Sequence, residues 1–88
     1  MSGEITGPTG AGRIELDEHA RRRLVSAADW TITAARRRYV PGGALVPIGA
    51  EDVVARALDD GLAVDGETAA AMLRERLLVR GSFCLDPR

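Results

Sequence analysis

Between residues 18 and 39 the apolar positions recur at steps of three and four. Leu24, Val25, Ala28, Thr31, Ile32, Ala35 and Tyr39 fall on one face of a 3.6-residue wheel, and Arg22, Ser26, Asp29, Thr33, Arg36 and Arg37 fall opposite. This spacing predicts a single amphipathic helix of about six turns. Asp17 stands where an N-cap carboxylate stands, Glu18 suits the positive end of the helix, and Val40-Pro41-Gly42-Gly43 stops it. A second helix is predicted from Ala50 to about Asp60. Gly49 is its candidate N-cap, Glu51 and Asp52 lie in its first turn, Val53, Val54, Ala57 and Leu58 form its inner face, and Gly61 ends it. After Leu62-Ala63-Val64, Asp65 caps a third helix from Gly66 to about Val79, with Ala69, Ala70, Met72, Leu73 and Leu77 on one side. Arg80-Gly81 closes that helix.

The remaining pattern is short and extended. Arg13-Ile14-Glu15-Leu16 alternates polar and apolar, as a brief strand does. Leu45-Val46 reads as another, confined to a sheet edge by Pro41 and Pro47. Ser82-Phe83-Cys84-Leu85 reads as a closing strand or extended tail, and residues 86–88 as fray. Residues 1–12 carry four glycines and Pro8 and read as a flexible N-terminal arm. They lack the Lys-Ser/Thr ending of a phosphate loop. The expected fold is mainly α: one long helix packed on a two-helix hairpin, with two or three short strands, in a single small domain over residues 13–85.

Composition narrows the chemistry. With 88 residues there is room for one domain, and much of the apolar content is Ala, Val and Leu, which predicts a thin core that a partner or second copy would complete. The lone Cys84 excludes an internal disulfide and reads as a small buried hydrophobe. With His19 as the only imidazole, neither a zinc site nor a nucleophile–base pair has its parts. His19 reads as a solvated helix residue. Asp59-Asp60 and Asp65-Glu67 match no calcium-loop spacing and read as helix-end charges. No catalytic residue, metal or cofactor is expected. There is no apolar run near 18 residues and no basic-then-apolar leader, so the chain reads as cytoplasmic and without a membrane role.

All basic residues are arginines, twelve of them with no Lys, and the net charge is −1. Six sit in two triplets, Arg21-Arg22-Arg23 and Arg36-Arg37-Arg38, on the long helix that also holds the only tryptophan, Trp30. Acids concentrate after residue 50, so the chain is dipolar by segment. Lys, Asn and Gln are absent, which points to a GC-rich coding genome and makes codon usage a second source of the Arg bias. The triplets have three readings: a solvated face with Glu18–Arg22 as an i, i+4 pair, a protein interface, or a phosphate-binding stripe. Trp30 lies at the edge of the apolar stripe, two turns from Arg23 and from Arg37. It is either covered by the N-terminal arm or final strand, or exposed as an aromatic anchor of the kind that dominates binding energetics.

Ala50 to Leu58 followed by Asp65 to Leu73 resembles a helix-turn-helix, over about a third of the chain, and a strand after it would suggest the winged variant. The resemblance implies a DNA-binding regulator with Arg21, Arg22 and Arg36 on phosphates and Thr68 toward the groove. The chain departs from that pattern where base contacts are needed, since its third helix opens with Asp65 and Glu67 rather than Arg, Lys, Asn or Gln. The turn between the helices is also longer than usual. Ile48 to Asp52, behind an Arg-rich helix, resembles the peptide-binding repeats at the front of Clp-type unfoldases. A helix is missing for a full repeat, and that likeness assigns no residue a role. The expectation is therefore a non-catalytic adaptor or accessory protein, not an enzyme, whose partner is another protein or a second copy of itself, gripped through Trp30, Arg23, Arg37 and Arg38. The alternative is the small helix-turn-helix-like regulator.

Overall fold

The computed structural model describes residues 17–88. The predicted arm over residues 1–12 and the predicted strand at 13–16 lie outside them. The elements run α1 (Glu18–Arg37), β1 (Val46–Ile48), α2 (Ala50–Asp59), α3 (Gly66–Arg80) and β2 (Leu85–Pro87). The protein is mainly helical, with a two-stranded parallel sheet.

Each helix starts and stops for a local reason. The Asp17 side chain accepts from the Ala20 amide at 2.7 Å, so one of the four unpaired first-turn donors of α1 is met. Gly49 has no side chain with which to cap α2. Instead Asp52 reaches back to accept from the Gly49 amide at 2.9 Å, beside the carboxylates that favour that helix end. Asp65 caps α3 through the Thr68 amide at 3.3 Å. Gly61 and Gly81 both carry φ of +83°, the conformation that ends a helix most readily in a residue without Cβ.

The three helices pack on one another in every pairing, and β1 lies against α1. The core is one cluster: Leu24, Ala27, Ala28, Ile32 and Ala35 of α1, Val53 and Ala57 of α2, and Ala69, Met72, Leu73 and Leu77 of α3. Val46, Ile48, Cys84 and Leu85 close it. Its alanines let the helix axes approach, and the largest fully buried side chains are Leu24, Ile32, Ile48 and Val53. This matches the wheel of α1, with Val25 and Tyr39 half-buried at its margins.

Leu58, expected on the inner face of α2, is instead 62% exposed, and the first strand is Val46–Ile48 rather than Leu45-Val46. The structure departs from the sequence pattern in two further places. The closing strand is Leu85–Pro87 rather than residues 82–85, with Val46 opposite Leu85, Pro47 opposite Asp86 and Ile48 opposite Pro87. The Arg88 amide donates to the Ile48 carbonyl at 2.9 Å, so the residues that read as fray belong to the ladder. The shift brings two prolines into the ladder. Neither Pro47 nor Pro87 has an amide to donate, and a two-stranded sheet, in which both strands are edges, tolerates them. Second, the polar face of α1 is not solvent-facing throughout. Asp29, Thr33 and Arg36 are half-buried against α3.

Candidate functional site

That polar face of α1 explains most of the arginines. Arg76 of α3 clasps Asp29 through two bonds, Nε to Oδ1 at 2.8 Å and Nη2 to Oδ2 at 3.2 Å. Asp29 in turn strengthens the hold of the Arg76 guanidinium on its proton. Arg80 donates to the Asp29 carbonyl at 2.7 Å and to the Thr33 hydroxyl at 2.9 Å. Running the other way, Arg36 donates to the Arg80 carbonyl at 2.6 Å and to that of Gly81, satisfying acceptors left unpaired at the end of α3. Its guanidinium also lies 5.7 Å from the ring of Phe83, within cation–π range.

The first triplet is similarly engaged. Arg21 pairs with Glu75 at 3.0 Å, Arg22 with Glu18 at 3.3 Å, and Arg23 donates to the Asp60 carbonyl at 3.3 Å. Of the residues that the helix-turn-helix reading assigns to nucleic acid, Arg21, Arg22 and Arg36 all have intramolecular partners. Thr68 donates its hydroxyl to the Asp65 carboxylate at the third helix's first turn. Thr68's hydroxyl, and after it its amide, hold the Asp65 carboxyl below the usual carboxylate range, outweighing the opposing effect of desolvation. The strand after α3 pairs in parallel with β1 and does not turn back on a neighbour to form a wing.

What stays open is a groove between α1 and α2. The helices run antiparallel here, since Arg56 meets Trp30 while Asp60, four residues on, meets Arg23, seven residues before Trp30. The groove is a hollow of about 340 Å³ lined by Trp30, Thr31 and Ala34 of α1 and Arg38, its C-cap, with Asp52, Ala55, Arg56 and Asp59 of α2. Trp30 stands 52% exposed at its edge. The Arg56 guanidinium lies 4.3 Å from the centre of the indole ring and is steadied by Asp60 at 3.6 Å. The final strand does not cover the indole, because β2 is paired with β1.

The structure thus brings Trp30 and Arg38 into one site and separates the other two candidates from it. Arg23 sits at the far end of α2, and Arg37 is exposed but outside the groove lining. Among the described residues no ion pair or hydrogen bond engages the Arg37 or Arg38 side chain. Arg56 is the residue that sequence reasoning passes over. It is the only base of α2, and its i, i+4 spacing to Asp60 reads as a surface pair. Only the antiparallel packing of the two helices sets it on Trp30, 26 positions earlier in the chain. Elsewhere, Cys84 is buried and His19 exposed. Among the described residues no group of three or more His, Cys, Asp or Glu is placed to hold a metal ion. Among them too, no helix is long and apolar enough to cross a membrane. No family model matches the chain, and neither does any curated protein or solved structure compared with it.

Proposed function

We propose that this chain is a non-catalytic adaptor or accessory protein of the cytoplasm that acts by gripping another polypeptide, a different protein or a second copy of itself, through the α1–α2 groove. The observation that carries this reading is the half-exposed Trp30 with the Arg56 guanidinium stacked on it at the lip of a hollow that also holds Arg38. Trp and Arg are the side chains that most often dominate the energetics of protein contacts. An indole that is already fixed by a stacked cation loses little conformational freedom on binding, so more of its burial appears as affinity. Of the other triplet arginines, Arg21 and Arg36 tie α1 to α3 and Arg23 ties it to the end of α2, while Arg22 pairs within α1.

The test is affinity purification from the native cell with the wild-type chain beside Trp30→Ala. The Ala variant should lose the partners that the wild type recovers, and nuclease treatment should leave the wild-type set intact. Equal recovery by both proteins would remove the groove from the account. Loss of the partners on nuclease treatment would instead favour the DNA-binding alternative.

A further inference from the structure

We infer that the occupant of the α1–α2 groove is a second copy of this chain, docked face to face about a two-fold axis. This inference rests on the groove being the docking surface. Two features of the groove choose the occupant. The first is charge. Arg38 and Arg56 are matched in the lining by Asp52 and Asp59, so the patch is neutral overall but strongly charged in detail. An acidic or a basic segment laid into it would meet two like charges whichever sign it carried, and like charges brought together at an interface oppose binding. A second copy brings both signs.

The second feature is shape. The same patch carries a large half-exposed group, the Trp30 indole, and a hollow beside it whose lining includes the small residues Thr31, Ala34 and Ala55. An isologous contact requires each copy to present knob and hole together, because one patch must serve as both surfaces. With α1 and α2 antiparallel, a two-fold axis running along the groove lays α1 of one copy over α2 of the other and keeps the levels of the residues unchanged. Trp30, level with Arg56, then faces the partner's α2 beside Ala55. Arg38, eight residues further along α1, faces the end where Asp52 lies. Each contact occurs twice. Trp30 would be withdrawn from water, and the alanine-rich core would gain apolar cover outside the monomer.

The experiment is sedimentation velocity on the purified chain over a range of concentrations. It is run for the wild type, for Trp30→Ala, for Ala55→Trp, and for an equimolar mixture of the two variants. Both substitutions fall at exposed positions, and far-ultraviolet circular dichroism establishes that each variant keeps its helices. The wild type should dimerise as concentration rises. Its emission, which comes from Trp30 alone, should move to shorter wavelength in step. Trp30→Ala removes the knob and should weaken self-association by about thirtyfold or more. Ala55→Trp fills the hole and should leave a monomer. In the mixture one chain offers a knob with a filled hole and the other an open hole with no knob, so the heterodimer should form where neither variant alone does. A wild type that stays monomeric up to about 1 mM, variants that dimerise like the wild type, or a mixture that stays monomeric would each overturn the inference. A monomeric wild type whose Trp30→Ala variant still loses its cellular partners would sink the dimer and spare the groove; equal recovery of those partners would sink the groove as well.

Discussion

Arg36 and Arg37 are neighbours of the same type on the same helix, yet the fold uses them differently. Arg36 is half-buried and feeds two carbonyls at the end of α3, whereas Arg37 points to solvent. The Arg80 carbonyl is part-buried and Gly81 is exposed, so water replaces the lost donor in part and its removal costs about 0.5–1.5 kcal/mol, the net worth of a typical hydrogen bond. Arg36→Met, which keeps the length of the side chain, should therefore lower the unfolding free energy by that much, read from urea denaturation as the shift in midpoint multiplied by the slope m. Arg37→Ala should stay within about 0.5 kcal/mol of the wild type. Equal effects at the two positions would mean that the Arg36 contacts add nothing net. The distinction was only half legible in the sequence. The wheel placed Arg36, Asp29 and Thr33 on the polar face correctly, and the Glu18–Arg22 pair was readable from spacing alone. That Arg76 and Arg80 reach back to the same face depends on which side of α1 the third helix occupies, and no local pattern encodes that.

At the scale of the element, the caps decide where the helices end, and they are testable one at a time. A Cβ built on Gly61 would find only Arg23 Nη1, 3.9 Å away, so space is not the constraint; the φ of +83° is. Gly61→Ala should then cost roughly 1–2 kcal/mol, the strain of holding an L-residue in the left-handed region. The Asp65 cap carries a pH dependence. Because the Thr68 hydroxyl and amide favour its ionised form in the folded state, its contribution is complete above the unfolded carboxylate value of about 3.9 and fades as pH falls through the lower native value. The stability advantage of wild type over Asp65→Ala, read as the difference in urea midpoints, should be constant around neutral pH and shrink in acid. A difference that grew in acid would reverse the assigned direction. Helix boundaries were legible to within two residues because capping carboxylates, Gly61 and Gly81 are local signals. The strand β2 was not, because its position is set by pairing with a segment 39 residues away, and the run 82–85 carries no record of its partner.

At the scale of the whole molecule, that pairing is what ties residues 85–87 back to the segment between α1 and α2. α1, α2 and α3 bury their alanine-rich stripes against each other, but Val46 and Ile48 are covered only when Cys84 and Leu85 return beside them. Three consecutive residues make the point. Phe83 is 83% exposed, although it is the largest apolar side chain near the chain's end, while the smaller Cys84 and Leu85 are 3% and 2% exposed. Size therefore does not decide which residue closes the core; the register of the parallel ladder does. Leu85→Ala should leave a cavity against β1 and cost about 2–5 kcal/mol, a large share of the ~5–15 kcal/mol that holds a small domain together. Phe83→Ser should cost far less, limited to its edge contact with Arg36. Thermal melts of the two variants followed by circular dichroism separate these expectations. If Phe83→Ser proved the more damaging, the Phe83 ring would have to be packed rather than exposed, and the ladder register that places Leu85 opposite Val46 would be wrong.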